Sequence, residues 1–308
     1  MKKFLCICLS STIQRTIHFE NLMLEKVNRS KYYRQDASGK AVNSARVLNQ
    51  LENGCAITVC PLGEKNASLF TELAQKDNIA LHSYLIPGFT RECWTLLDNS
   101  AHTTTELVVG ENTNYKEENF ANHNEQFLAL IKNNISQVDA VLLAGSRPDI
   151  WDKNLYPDIA LIAKQNNKVF LADFIGADLK NTIKQATPDI IKINDEEFLQ
   201  TFSNSSAFSE NKITEQELKE LICQKSAELQ NIIVVTRGTK STFAAQNGDF
   251  YECLVEKVLP VNTTACGDSF NAGFLYDYIN NCDFEKALKK GTWCAARNAE
   301  HDCPGTIL

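Results

Sequence analysis

Three features that mark large classes of proteins are missing from this sequence. No apolar run approaches the roughly 20 residues that cross a bilayer. Basic residues are not in excess, because 31 Lys and Arg stand against 38 Asp and Glu. The eleven cysteines include no CxxC pair and form no cluster with histidines at zinc-site spacing. We therefore expect a small-molecule ligand, with no membrane, no nucleic acid and no structural zinc.

The first residues lack the length of a secretory signal. Lys2 and Lys3 precede an apolar run, but that run is short, is interrupted at Ser10, and is followed by Gln14 and Arg15. A buried first strand explains this pattern better than a signal peptide does. Because the scattered cysteines are best interpreted as reduced, mostly buried thiols, we predict a cytoplasmic protein.

What the sequence does have, from about residue 55 onward, is an alternation of short apolar runs with longer segments of helical spacing. This alternation is typical of a parallel sheet with helices on both faces, so we predict an α/β fold with a doubly wound, mainly parallel sheet. Internal repeats are absent, and residues 1–308 are predicted to form a single domain. The expected strands are 4–9, 56–60, 81–85, 139–144, 168–173, 189–193 and 231–236, and the expected helices include 40–52, 66–77, 118–134, 156–165, 214–229, 267–281 and 284–300.

Two segments, 15–37 and 92–110, break this rhythm. Apolar and polar residues alternate in them, as in the run from Cys93 to Leu97, which indicates strands with one wet face. We predict that the two segments form a small separate sheet that serves as a lid. An apolar face on so small a sheet needs a cover, which predicts a homodimer through the lid.

The densest motif in the sequence is the run 262–274. Small residues precede a helix there, and the free backbone N–H groups of a helix start form a site for anions such as a phosphoryl group. Asp268 falls in the first turn. It is either a proton acceptor or an ordinary helix-start carboxylate, and the local sequence leaves both interpretations open.

The run from Thr263 to Phe274 resembles the C-terminal signature of the ribokinase-like carbohydrate kinases, the phosphofructokinase B family, which is usually Asp-Thr-x-Gly-Ala-Gly-Asp-Ser. The resemblance implies an ATP-dependent kinase in which Asp268 is the general base and the backbone amides of Ala265, Cys266 and Gly267 form the anion hole. Ala265 replaces a glycine of the signature, so we expect lower activity if that position needs a positive φ. Cys266 is either a small packed side chain or a thiol of lowered pKa.

Further motifs, in the expected order along the chain, resemble the phosphosugar branch of the family, the 1-phosphofructokinase and tagatose-6-phosphate kinase type. They imply phosphorylation of a ketohexose phosphate. Gln14 stands where the branch has an aspartate that binds the sugar hydroxyls, and an amide brings no charge there. Lys40 and Arg91 suit a phosphate group. The implied substrate-binding residues are Gln14, Gly39, Lys40, Asn43, Arg91 and Ser146.

The resemblance also extends to nucleotide and metal. The run Lys192-Ile193-Asn194-Asp195-Glu196-Glu197 is similar to the family's Lys-Pro-Asn-x-x-Glu, which implies that Asn194 and Glu197 hold Mg²⁺ through water. Acidic residues at a helix start are also common because of the helix dipole alone. The nucleotide-binding residues implied for ATP are Lys192, Thr236, Gly238, Thr264 and Asn298.

Two other functions remain open at this stage. The altered residues Gln14, Asn262 and Ala265 are compatible with a catalytically weak protein that binds a sugar phosphate or nucleotide in regulation. A kinase for an unphosphorylated sugar or nucleoside is the second alternative. Lys40 and Arg91 argue against it, because both supply positive charge that suits a phosphorylated acceptor.

Overall fold

The computed structural model describes residues 1–110, 120–203 and 213–308. The expected helix at 118–134 begins outside these ranges, at residues 118 and 119. In chain order the elements are β1 (Phe4–Ile7), β2 (Thr12–Phe19), β3 (Tyr32–Ser38), α1 (Lys40–Leu51), β4 (Ala56–Gly63), α2 (Ala67–Lys76), β5 (Ala80–Ile86), β6 (Arg91–Asp98), β7 (Thr103–Val109), α3 (Phe120–Ile135), β8 (Ala140–Ala144), α4 (Leu155–Gln165), β9 (Val169–Asp173), α5 (Gly176–Gln185), β10 (Ile190–Asn194), α6 (Asp195–Phe202), α7 (Glu215–Leu229), β11 (Ile232–Arg237), β12 (Lys240–Gln246), β13 (Asp249–Cys253), α8 (Cys266–Asn281) and α9 (Phe284–Ala299).

A nine-stranded sheet forms the centre of the protein, in the order β13-β12-β11-β10-β9-β8-β1-β4-β5. The seven strands expected from the sequence pair in parallel, and each lies within a few residues of its predicted bounds. The antiparallel hairpin β12–β13 at one edge is an addition to the prediction. The strand order reverses at β1, which pairs with β4 on one side and β8 on the other. Ligands of open α/β sheets bind at the carboxyl ends of strands beside such a reversal.

Both faces of this sheet are buried, which explains the continuous apolar runs. Alternate residues of β1 belong to two different hydrophobic clusters, Phe4 and Cys6 to one and Leu5 and Ile7 to the other. The first cluster includes buried side chains of α1, α2, α8 and α9, and the second includes side chains of α3 to α7. The sheet is therefore doubly wound, as predicted.

Two helices in the structure, α5 and α6, were not among the expected ones. Helix α5 buries only Leu179 and Thr182, so its sequence lacks the repeated apolar spacing from which a helix is predicted. Helix α6 is short and begins with three acidic residues, and its first turn is defined by its cap rather than by burial.

The two alternating segments form the second sheet, in the order β3-β2-β6-β7. Strand β2 pairs antiparallel with β3 and parallel with β6, and β6 pairs antiparallel with β7. One face buries Gln14 and Thr95, whereas the other exposes Trp94 and Leu107, which are cross-strand neighbours. In the described ranges, no helix is both long and apolar enough to span a bilayer.

Candidate functional site

The polar residues of the motifs meet where β1, β8, β9 and β10 end. Strand β9 lies between β8 and β10, so the last residue of β9, Asp173, reaches the space between α1 and the start of α8. Residues far apart in sequence are in contact there, as with Asn43 and Asp268, which are 225 positions apart. The reversal of the strand order creates this crevice, as expected for a doubly wound sheet.

Asp268 lies in the first turn of α8 and is buried. Its Oδ2 accepts a hydrogen bond of 2.9 Å from Asn43 Nδ2. Burial raises the pKa of the Asp268 carboxyl to about 6, and the Asp173 charge adds to this rise, while Lys40, Lys192 and the Asn43 hydrogen bond oppose it. A carboxyl with a pKa near 6 is ionised at neutral pH and can still take up a proton efficiently, as a general base requires.

Asp173 is a second buried carboxylate at the site, and the sequence motifs did not identify it. Its Oδ1 lies 2.9 Å from Lys40 Nζ, and its Oδ2 lies 3.3 Å from Lys192 Nζ and accepts a 2.5 Å hydrogen bond from Asn271 Nδ2. Burial alone would raise the pKa of Asp173, but Lys192, Lys40 and Asn271 hold it well below its usual range. The Asp173 charge in turn raises the pKa of Lys40.

This contrast gives the two carboxylates different chemistry. Asp173 stays ionised and fixes two lysines at the strand ends, whereas Asp268 is poised to gain and lose a proton. Lys40 and Lys192 therefore present their charges in one place, which suits a phosphorylated ligand. The sequence signal for Asp173 was its place as the last residue of a buried parallel strand, the position from which α/β proteins bind ligands.

The loop before α8 has an unusual backbone. Ala265 is left-handed, with φ of 66°, so it adopts the conformation for which the family signature has glycine. Two carboxamides support the loop. Asn262 Oδ1 accepts from Thr264 N at 3.0 Å, and Asn298 Nδ2 donates to Thr264 O at 2.8 Å. The Cys266 N–H donates a 3.3 Å hydrogen bond to Thr263 O, which must lengthen before this amide can bind an anion.

Two glycines allow close packing at the site. Gly39 precedes α1 with φ of 123°, and a Cβ there would lie 2.7 Å from Cys8 Sγ. A Cβ on Gly267 would lie 2.8 Å from Lys192 Nζ. Only glycine therefore lets the lysine approach the start of α8 this closely. Burial raises the pKa of the Cys266 thiol, which contradicts the interpretation of Cys266 as a thiol of lowered pKa.

The predicted substrate residues lie around this crevice. Gln14 is buried on the small sheet and donates to Thr95 Oγ1 at 2.6 Å. Arg91 begins β6 and donates from Nε to Thr12 Oγ1 at 2.8 Å. Ser146 is exposed just after β8. The small sheet also contacts the loop before α8 directly, through Thr264 Oγ1 and Glu106 Oε1 at 3.1 Å.

The predicted nucleotide residues extend along the neighbouring strand ends. Thr236 lies opposite Asn194 in the pairing of β11 with β10, and Gly238 follows in an exposed turn with φ of 60°. Asn298 differs from these, because it is fully buried and its Oδ1 accepts from Ser269 Oγ at 3.1 Å and from Gly305 N at 2.7 Å. Asn298 therefore connects α9 to the start of α8 and to the C-terminal segment, and its direct contact with a nucleotide stays a prediction.

Asn194 and Glu197 form a capping box at the start of α6. Asn194 Oδ1 accepts from Glu197 N at 2.8 Å, and Glu197 Oε2 accepts from Asn194 N at 2.9 Å. The second carboxylate oxygen of Glu197, Oε1, lies 3.8 Å from Lys40 Nζ and so faces the crevice. A carboxylate oxygen that is outside the capping box and next to a phosphate site fits Mg²⁺, which keeps most of its water ligands. In the parts of the chain that the structure describes, no group of three or more His, Cys, Asp and Glu residues forms a direct metal site.

Comparison with known proteins agrees with this geometry. The sequence model of the pfkB family of carbohydrate kinases matches residues 3–306. The tagatose-6-phosphate kinase of Staphylococcus epidermidis is 27% identical over 307 residues, covering 98% of this chain and 94% of the relative.

Solved structures share the fold. The phosphofructokinase-2 of Escherichia coli, in complex with potassium, superposes with a TM-score of 0.82 at 14% identity, covering 98% of this chain and 94% of that one. A possible 1-phosphofructokinase from Thermotoga maritima gives 0.83 at 19% identity, covering 98% and 93%. The resemblance seen in the motifs is confirmed, and because the family model matches almost every residue, this chain belongs to the pfkB family of carbohydrate kinases.

Proposed function

We propose that this carbohydrate kinase transfers the γ-phosphoryl group of ATP to a hydroxyl of a ketohexose phosphate, with Asp268 as the general base. The observation that carries the proposal is the buried Asp268 carboxylate, with its pKa near 6, beside Lys40 and Lys192. The tagatose-6-phosphate kinase relative and the structural likeness to a possible 1-phosphofructokinase support a phosphorylated ketohexose as the acceptor.

In this mechanism the proton of the acceptor hydroxyl moves to Asp268. The hydroxyl oxygen attacks the γ-phosphorus of ATP in line, the bond to the bridging oxygen breaks, and ADP leaves. The amides of Ala265, Cys266 and Gly267 at the start of α8 stabilise the negative charge on the transferring group. The first N–H groups of a helix have no partners within the helix, so they can donate to an anion at its N-terminus. Lys192, which Asp173 holds next to the start of α8 by an ion pair, adds a full positive charge.

The acceptor's own phosphate is held by positively charged and polar groups on the other side of the crevice. Lys40 keeps N–H donors in addition to the one that binds Asp173, and a guanidinium such as Arg91 can contact a phosphate through two parallel hydrogen bonds. Gly39, Asn43 and Ser146 complete this part of the proposed substrate site, and Gln14 offers an amide to the sugar hydroxyls.

ATP lies, in this proposal, along the ends of β10 and β11. Lys192 contacts its phosphates, while Thr236, Gly238, Thr264 and Asn298 surround or support the rest of the nucleotide. Asn194 and Glu197 hold Mg²⁺ through water. When bound, the metal neutralises charge on the phosphates of ATP.

The small sheet acts as a lid, and its exposed face is the interface of a homodimer. Trp94, Leu107 and Val109 are apolar, neighbouring and at least one-third exposed on this face, which a second copy of the sheet would cover. A tetrameric form is recorded for the Escherichia coli phosphofructokinase-2, whose fold this chain shares. All eleven cysteines lie in described parts of the chain and are free, in keeping with a cytoplasmic protein.

The test is ADP release with fructose 1-phosphate, fructose 6-phosphate and tagatose 6-phosphate as acceptors, for the wild type and for Asp268→Asn. We expect at least one acceptor to be phosphorylated, and the variant to fold but lose turnover by about 10² to 10⁴-fold. Wild-type turnover in the variant would rule out Asp268 as the base. An unphosphorylated sugar or nucleoside that outperforms all three phosphates would rule out the acceptor class.

One observation favours the regulatory alternative. The left-handed Ala265 stands where the signature has glycine, and strain in the loop that supplies the anion-binding amides would slow the transfer. Calorimetry separates the two functions, because a regulator binds the phosphosugar or the nucleotide tightly without releasing ADP when both are present.

A further inference from the structure

Arg46 is a buried arginine on α1, one turn after Asn43 and 3% exposed. Its Nε donates to Asp77 Oδ2 at 2.8 Å. Its Nη1 donates to Asn43 Oδ1 at 3.1 Å and to the Pro304 carbonyl at 2.7 Å. Its Nη2 donates to the Ala37 carbonyl. The guanidinium thus joins α1 to the end of α2, to β3 and to the C-terminal segment.

The contact with Asn43 has a consequence for Asp268. The Asn43 carboxamide oxygen accepts from two donors, Arg46 Nη1 and Ser38 Oγ, the latter at 2.9 Å, while its Nδ2 donates to Asp268 Oδ2. The reversed carboxamide would place N–H against a guanidinium and C=O against a carboxylate. Both contacts are repulsive, so the donors fix which end of Asn43 faces Asp268.

Resting on the proposed role of Asp268, we propose that Arg46 is a positioning residue for the proton transfer, and that it acts through Asn43. With its N–H held toward Asp268, Asn43 stabilises the ionised carboxylate and occupies one of its two oxygens. The other oxygen is left to take the proton of the acceptor hydroxyl. A rotated carboxamide would instead favour the protonated acid, which cannot act as a base.

The geometry explains why an arginine is needed. The planar fork reaches Asn43, Pro304 and Ala37 at once, whereas a lysine ammonium has a single nitrogen. The C-terminal segment closes tightly over this arrangement. A Cβ on Gly305 would lie 2.8 Å from the Asn43 carbonyl oxygen, and Gln50 Nε2 donates to the Gly305 carbonyl at 2.8 Å. The Pro304 acceptor is therefore fixed in place as well.

The test is the pH dependence of kcat and KM for Arg46→Met, measured with the acceptor found in the ADP-release screen. We expect the acid limb of kcat to move upward by about 0.5 to 1 pH unit, with the KM for the phosphosugar changed less than about threefold. Ser38→Ala removes the other donor to Asn43 without changing any charge, and should move the limb in the same direction by a smaller amount.

Two controls separate positioning from mere folding. Asp77→Asn loosens the Nε contact but keeps both Nη donors, so it should lower the melting temperature without moving the acid limb. In an Asn43→Ala background, adding Arg46→Met should move the limb no further, because the path through Asn43 is already gone.

The inference would be overturned if the acid limbs of Arg46→Met and Ser38→Ala coincide with the wild-type limb. The proposed base would still stand in that case, provided that Asp268→Asn is inactive. A second, additive shift in the Asn43→Ala background would also overturn it, since Arg46 would then act directly. If Arg46→Met does not fold, Arg46→Lys, which keeps the charge but cannot reach Asn43, Pro304 and Ala37 at once, takes its place in the single and the double variant. Turnover in Asp268→Asn would remove the base assignment itself.

Discussion

At the residue scale, the site depends on two buried carboxylates with opposite properties. Asp173 is surrounded by cation and amide donors, so its ionised form is stabilised despite burial. Among the residues that the structure describes, Asn43 alone donates a hydrogen bond to the Asp268 carboxylate, and burial dominates the pKa of Asp268. The difference follows from the number of partners that each carboxylate has, because each donor or cation favours the charged form and burial disfavours it.

The raised pKa of Asp268 predicts a pH-dependent gain of stability in Asp268→Asn. Between about pH 4 and 6 the folded protein keeps a proton that the unfolded chain has released, so this residue lowers stability as the pH rises through that window. Above pH 6 the penalty is constant, at about 2 to 3 kcal/mol. Thermal unfolding at pH 4 and pH 8 checks this, and we expect the variant to be more stable than the wild type at pH 8 only.

A gain that is equal at both pH values would contradict the explanation, since it would then come from packing rather than ionisation. Asp189→Asn is a suitable comparison. Burial also raises the pKa of Asp189, but the residue lies outside the crevice, before β10, so its replacement should affect stability without abolishing turnover.

Ala265 gives a second prediction at this scale. A left-handed alanine is strained by about 1 kcal/mol, and Ala265→Gly removes that strain at the cost of some chain entropy. We expect a small change in stability and a several-fold rise in kcat, because the amides of this loop adopt their anion-binding geometry more readily. Steady-state kinetics with saturating ATP and acceptor measures the effect.

The matched control is Gln230→Gly. Gln230 has φ of 51° at the end of α7, remote from the crevice, and its replacement relieves the same kind of strain. Its kcat should equal that of the wild type. An equal rise in both variants would show that general stability, and not the loop before α8, limits turnover.

At the scale of the elements, helices α6 and α7 begin with the same capping box but in different surroundings. Asn194 and Glu197 cap α6 at the crevice, and Thr214 and Glu217 cap α7 away from it. A glutamine at the third position keeps a capping box intact. The pair therefore separates the structural role of the glutamate from its proposed role in binding Mg²⁺.

We predict that Glu197→Gln raises the Mg²⁺ concentration needed for half-maximal activity by about tenfold or more, while its melting temperature changes little. The loss of one carboxylate charge next to the phosphates causes this effect. Titration of MgCl₂ at fixed ATP measures it. Glu217→Gln should show the wild-type requirement, and an unchanged requirement in Glu197→Gln would remove this residue from the metal site.

At the scale of the whole molecule, the small sheet has apolar surface that the described residues of one chain leave exposed. Arg15 lies over the ring of Trp94, with 5.7 Å between its guanidinium carbon and the ring centroid, and pairs with Glu92 on the same face. Together with Leu107 this makes a mixed apolar and charged surface, typical of an interface between copies.

Leu107→Lys is predicted to convert a dimer into a monomer, because a buried unpaired lysine in the interface is strongly unfavourable. Light scattering across a range of protein concentrations measures the mass. Leu254→Lys is the control, since Leu254 is also apolar and exposed but follows β13 outside the small sheet. A wild-type protein that is monomeric at all concentrations would contradict the proposed dimer.

The sequence by itself determined the parallel strands of the core sheet and the location of the motifs. Runs such as 189–193 and 231–236 are apolar because both faces of a parallel strand are buried, so they can be recognised locally. The hairpin β12–β13 escaped this reasoning. It lies at the edge of the sheet, where β13 is only partly buried and the apolar signal fades.

Only the tertiary structure decided which charged groups meet. Lys40 and Asp173 are 133 residues apart, and their pairing depends on β9 lying between β8 and β10 and on α1 packing above the strand ends. The same holds for Arg46, whose partners come from β3, the end of α2 and the C-terminal segment. Periodicity and turn residues act over a few positions, whereas the pKa of a buried group depends on every charge that the fold brings near it.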